Sequence, residues 1–178
     1  MRAKIGLGVL MLAVGLATAV PAWSQAAVAS SNPLDQLAWM TGGTWTADGD
    51  KGPDGKPFHV EMSCHWGKNH RVLEFTTWFM VGGKLTPVYE GIYAWHPAKK
   101  KFVFYYTNDD GELTEGEAAM TGDHLEQEFQ IVGVDGAAHA FRSTIVRRGQ
   151  DDYDWNVQNQ KDGAWVVLFG LKYKRRPA

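Results

Sequence analysis

From residue 43 onward, apolar and polar side chains alternate in short runs separated by turn chemistry. The turns are Gly82-Gly83, Pro97-Ala98-Lys99, Asp109-Asp110-Gly111, Gly122-Asp123, Asp135-Gly136, Gly149-Gln150-Asp151 and Asp162-Gly163. Asp-Gly pairs accept the left-handed backbone that tight hairpins need, so the pattern predicts an all-β meander. Strands are expected over 44–48, 57–66, 71–80, 85–95, 101–107, 112–121, 124–132, 138–147, 152–159 and 164–175. The connections are too short for crossover helices, so neighbours in sequence should pair antiparallel. About ten strands with no second core predict a single closed antiparallel β-barrel, which also removes exposed edges.

The alternation assigns faces. Phe58, Val60, Met62, Cys64 and Trp66 share one face of the second run, and His59, Glu61, Ser63 and His65 share the other. Further aromatic faces are Tyr89, Gly91, Tyr93 and Trp95; then Phe102, Phe104 and Tyr106; then Tyr153, Trp155 and Val157. The last run offers Trp165, Val167, Phe169, Leu171 and Tyr173. These faces are expected to point inward, where a barrel of eight or more strands is either filled or holds one small ligand. Phe58, Met62, Trp66, Tyr89, Tyr93, Phe104, Trp155 and Phe169 are therefore the candidate ligand-binding residues, for a small and largely apolar molecule.

Ahead of the strands, Asn32-Pro33 reads as a helix start: an N-cap residue, then Pro at the first helical position. Leu34, Leu37, Ala38 and Met40 give this short helix one apolar side, suited to plugging a barrel end. Gly43-Thr44-Trp45 then opens the first strand, and Lys174-Arg175-Arg176 closes the last. First and last strands are neighbours in a closed barrel. Trp45 and Arg175 are expected to meet at its floor as a cation–π pair, worth about 0.5–2 kcal/mol, with Arg176 facing away.

The short helix, Gly43-Thr44-Trp45, the hairpin meander and the terminal Arg175 together resemble the calycin superfamily, the lipocalins and their bacterial lipocalin-like relatives. The likeness runs over most of Leu34 to Arg176 and implies a barrel with an apolar pocket; it names no ligand. The chain departs from the lipocalins proper in strand number and in lacking a Thr-Asp-Tyr loop signature. The nitrobindins, ten-stranded barrels with a similar Gly-x-Trp start, bind haem through a histidine on a late strand. Here the last histidine is His139, flanked by Ala138 and Ala140 and sharing a face with Phe141, Ser143 and Ile145. No haem or other cofactor is expected.

Charge and composition set the compartment. Arg2 and Lys4, the uncharged run Ile5 to Val20 and Ala22-Trp23-Ser24 predict a signal peptide over 1–24. Cleavage after Ala26 or Ala29 is the alternative. The apolar run is short for a membrane span, which needs about 20 residues. The protein is thus expected to be periplasmic or secreted, without a stable membrane anchor after processing. A polar leader follows over 25–32, and the barrel domain spans 33–176, a one-domain length.

The 18 Lys and Arg are outnumbered by 20 Asp and Glu. Lys99-Lys100-Lys101 and Lys174-Arg175-Arg176 are too short to make a basic face, so nucleic acid is excluded as a partner. The sequence leaves the oligomeric state open. Cys64 is the single cysteine and is expected to behave as a small apolar core residue.

Catalytic and metal chemistry finds little support. His59 and Glu61 share a face, but His65 lies about 20 Å from His59 at strand rise, and two ligands do not make a metal site. Asp48, Asp50 and Asp54 occupy a Gly-rich loop in which Gly52 stands where a calcium loop needs an acid. No Gly-x-Ser-x-Gly or nucleotide-loop motif occurs. Glu74, Glu90, Glu115 and Glu117 could act as an acid–base pair only from inside the barrel, and outward placement is expected. The leading expectation is non-catalytic binding. An enzyme in the same cavity, a haem-binding nitrobindin-like protein and a barrel filled by its own side chains are the alternatives.

Overall fold

The computed structural model describes residues 32–50 and 55–176. The expected signal peptide over 1–24, most of the polar leader and Asp54 lie outside the described residues. A 3-10 helix, η1 (Pro33–Met40), precedes β1 (Thr44–Gly49), β2 (Phe58–Trp66), β3 (Val72–Val81), β4 (Lys84–His96) and β5 (Lys101–Asn108). Then come β6 (Leu113–Thr121), β7 (His124–Val132), β8 (Ala138–Arg147), β9 (Asp152–Lys161) and β10 (Ala164–Arg176). All ten are antiparallel to their neighbours and form one closed barrel in sequence order, with β10 returning to β1. The fold class expected from the alternation is the one observed.

The helix closes one end. Asn32 caps it, its side chain accepting from Leu34 N at 3.2 Å. Leu34, Leu37 and Met40 are its buried residues. They recur every three positions, which aligns them on one face of a helix with three residues per turn. That face seals the barrel floor. Asn32 Nδ2 also donates to the His70 carbonyl at 2.6 Å, tying the helix start to the β2–β3 turn.

Closure rests on a short seam. Thr44 pairs with Arg176, Trp45 with Arg175 and Thr46 with Lys174. Above Thr46, β1 continues along β2 as far as Gly49 opposite Phe58, and β10 continues along β9. Trp45 is 1% exposed. Its indole N–H donates to the Met40 carbonyl at 2.9 Å, and the Arg175 guanidinium carbon stands 4.4 Å from its ring centre. Gly43 enters the seam at φ +147°, and a Cβ there would lie 2.7 Å from the Arg176 carbonyl oxygen. Only glycine fits this close approach, which explains the Gly-x-Trp spacing.

Two irregularities change which side chains face inward. Register shifts between Thr77 and Trp78 of β3 opposite β4, and between Val167 and Phe169 of β10 opposite β9. A bulge adds one residue to one strand, and a one-residue slip reverses the faces of everything beyond it. The expected inward face of β10 is therefore broken at Leu168. Phe169, Leu171 and Tyr173 face the interior as expected. Trp165 and Val167 do not: Val167 is 63% exposed, and the Trp165 ring lies 4.7 Å beneath the Arg142 guanidinium.

Candidate functional site

The barrel encloses a cavity of about 500 Å³. Its wall draws on most strands because alternation sends one aromatic or aliphatic side chain inward at every second position. Phe58, Met62, Tyr89, Tyr93, Phe104, Trp155 and Phe169, all candidates from the sequence, line it. Trp66 does not. It is the last residue of β2, at the end closed by η1, and its ring stacks on His70 at 4.9 Å and 16°. The helix plug, with Met40 facing the cavity, stands above that level.

The aromatic wall is continuous. Phe75, Tyr93, Phe104, Phe129 and Phe141 follow one another at ring-centre distances of 5.4–5.8 Å. On the floor side, Tyr153 lies 4.8 Å from Trp45 and stacks on Tyr173 at 4.7 Å. No Asp, Glu, Lys, Arg or His is among the described lining residues.

Polar groups in this wall are few and neutral. Gln127, in the wall, is 6% exposed, and Ser143, which is not among the lining residues but bonds to it, is 4% exposed. Ser143 Oγ donates to Gln127 Oε1 at 2.6 Å, and Gln127 Nε2 donates to the Tyr93 hydroxyl at 2.8 Å. Burial pushes the Tyr106 hydroxyl up to about 12, and raises those of Tyr93, Tyr153 and Tyr173 above the ordinary tyrosine value. All four remain protonated over the physiological range. Gln127 and Ser143 were not singled out from the sequence as ligand contacts. A signal existed: Gln127 sits at the inward position between Leu125 and Phe129 on β7, a polar residue on an otherwise apolar face.

The remaining chemistry-bearing residues sit elsewhere. Glu117 bridges Lys99 at 2.6 Å and Lys101 at 2.8 Å on the outer surface. Glu74 meets His65 at 3.0 Å, and Glu115 accepts from Gln130 at 2.5 Å. Glu90 is exposed, and so is His139, which pairs with Ile131 near the end opposite η1. His59 reaches Asp48 Oδ1 with Nδ1 at 2.8 Å and Glu61 Oε1 with Nε2 at 3.3 Å. The carboxylates thus lie on opposite edges of one ring and do not converge on a common point. Among the described residues no group of three or more His, Cys, Asp or Glu is placed to hold a metal ion. Glu61 also takes a two-pronged contact from Arg176 at 3.1 and 2.9 Å, so Arg176 faces away from Trp45 as expected.

No family model matches the chain, and no curated protein matches it. Among solved structures it is similar to the crystal structure of Rv2717c from M. tuberculosis. The TM-score is 0.52 at 18% identity, over 80% of this chain and 96% of that one. A likeness at this identity shows a shared barrel fold and carries no statement about ligand or activity.

Proposed function

We propose that the protein binds a small, neutral, largely apolar molecule inside the barrel and performs no chemistry on it. The observation that carries this reading is the cavity of about 500 Å³ with no charged side chain among its described lining residues. Small-molecule pockets commonly measure about 300–1,000 Å³ and combine apolar walls with a few polar groups. A charged ligand would be buried there without a partner, at a cost exceeding the apolar gain. The non-catalytic part of the reading is supported by the outward placement of Glu74, Glu90, Glu115 and Glu117. The lipocalin-like seam of Gly43, Trp45 and Arg175 supports the same binding role by analogy.

The test is titration with N-phenyl-1-naphthylamine, a neutral dye that brightens in apolar surroundings, joined to native mass spectrometry of protein from its own source. A saturable one-to-one signal and a retained small-molecule mass are expected. A linear, unsaturable signal together with a bare protein mass refutes the reading. The charged start and apolar run of 1–24 support a periplasmic or secreted setting. Amino-terminal sequencing should find a mature chain beginning near Gln25, and an intact Met1 in the membrane fraction would overturn that.

A further inference from the structure

The cavity wall holds a buried donor with no acceptor among the described residues, the proton of the Tyr93 hydroxyl. The buried chain runs in one direction, Ser143 to Gln127 to Tyr93, so each member accepts from the one before. The Tyr93 hydroxyl ends it: its oxygen is occupied by Gln127, and no described residue takes its proton. Tyr153 and Tyr173 line the same cavity, and no described residue is hydrogen-bonded to the hydroxyl of either. The Trp155 indole N–H, in the same wall, is buried without a partner. A one-way chain polarises its members, which makes the terminal donor a better one. Burial holds these phenols in the protonated, donating form.

We propose that this floor receives an uncharged acceptor oxygen, and that the ligand is an apolar carbonyl compound of the ketone, aldehyde or ester class. It enters oxygen first. The carbonyl meets Tyr93, and the hydrocarbon part lies along Phe129, Phe141, Phe79 and Phe58 toward the end opposite η1. A carboxylate is disfavoured because no cation lines the cavity to balance it. An alkane or plain arene is disfavoured because it leaves the Tyr93 proton unmatched. This inference rests on the cavity-binding reading above and narrows its ligand class.

The experiment uses two ligands of one shape, 2-acetylnaphthalene and 2-isopropenylnaphthalene, which differ by an oxygen against a methylene. Each displaces N-phenyl-1-naphthylamine from the wild type and from Tyr93→Phe, Gln127→Leu and, as an outer-face control, Tyr105→Phe. The ratio of the two affinities is the readout. Tyr93→Phe should lower the preference for the ketone about 3–10-fold, the range one hydrogen bond supplies. Gln127→Leu should lower it in the same direction, and Tyr105→Phe should leave it alone. The infrared carbonyl stretch of bound 2-acetylnaphthalene should rise in Tyr93→Phe, and circular dichroism melts confirm that each variant is folded. Dye and both naphthalenes binding with the same ratio in all variants overturns the carbonyl assignment and leaves the cavity reading standing. Failure of all three probes to bind the wild type overturns the cavity reading itself. Stronger displacement by 2-naphthoate than by the ketone at neutral pH overturns the uncharged class.

Discussion

Replacing Trp45 with Ala probes the closure of the barrel most directly. Trp45 is 1% exposed and contacts Trp39 at 5.8 Å, Tyr153 at 4.8 Å and Arg175 at 4.4 Å. Its loss opens a cavity under the helix and removes the bond to the Met40 carbonyl. Truncating a buried aromatic side chain costs about 3–5 kcal/mol, a large share of a domain stability of about 5–15 kcal/mol. Arg175 does more than stack. Its guanidinium donates to the carbonyls of Thr41 at 2.8 Å, Trp39 at 2.5 Å and Gln150 at 3.2 Å. It thereby caps the end of η1. Its Nε lies 3.2 Å from Asp151 Oδ1. The cation–π contact alone is worth about 0.5–2 kcal/mol, and charged hydrogen bonds to otherwise unpaired carbonyls raise the expected loss in Arg175→Ala to about 2–4 kcal/mol.

The two losses should not add. With the indole gone, Arg175 has lost its stacking partner, and the helix it caps has lost its seat. Urea melts of both single variants and the double variant should return a coupling of at least about 0.5 kcal/mol. Arg176 is the control: its side chain is 60% exposed and turned toward Glu61, away from the Trp45 ring. Arg176→Ala should be additive with Trp45→Ala. Additivity of Trp45→Ala with Arg175→Ala, or a loss below about 1 kcal/mol for Trp45→Ala, would refute the argument that this seam holds the floor.

Three further outcomes follow from single residues. The Cys64 thiol, fully buried and pushed up to about 12 by burial, should resist Ellman's reagent in native buffer and react rapidly in urea; fast native labelling would contradict its placement. His59 is raised above its ordinary 6.5, first by the hydrogen bond it donates to Asp48 and then by Glu61, against an opposing effect of burial. Stability from this contact is present below 6.5 and lost as pH rises through the folded value, so the imidazole NMR midpoint should exceed 6.5 and fall in Asp48→Asn. Gly43→Ala should cost about 1–3 kcal/mol by driving a methyl into the Arg176 carbonyl; a loss below about 0.5 kcal/mol in a urea melt, the size of an ordinary surface change, would show that the seam yields.

The strands were legible because hairpin chemistry and alternation agree at every level. Each expected run has an observed strand whose ends differ by no more than two residues. The Trp45–Arg175 register was legible from closure alone, since the first and last strands of a barrel must meet. Face assignments failed where period-two counting meets a bulge. Leu168 carries no Gly or Pro to announce it, so Trp165 and Val167 were assigned inward and stand outside. Trp66 failed for another reason: alternation gives the face of a strand but not the depth at which a helix plugs it. Gln127 and Ser143 were missed as site residues because a lone polar side chain on an inward face becomes informative only once its partner on the next strand is known.

A cavity of this size bears on stability as well as on binding. Engineered cavities in T4 lysozyme cost about 24 cal/mol per Å³. On that scale a dry, sealed void of 500 Å³ would cost about 12 kcal/mol, near the whole stability of an ordinary domain. The packing that offsets such a cost is concentrated at the closed end, in Leu34, Leu37, Trp45, Tyr153 and Tyr173. The opposite end carries the exposed apolar residues Met80, Val81, Val134, Val166, Val167 and Leu168. Leu168 is 52% exposed and also lines the cavity, so the void reaches the surface beside the β10 bulge. Stabilising contacts and ligand space are therefore separated along the barrel axis, and the upper half has most to gain from an occupant. Ligand at a hundred times its dissociation constant adds about 2.7 kcal/mol of stability. In hydrogen exchange, that gain should appear as protection of β3, β4, β9 and β10 amides near this end, before any change at Trp45. Unchanged protection of these amides at saturating ligand would place the ligand outside the cavity.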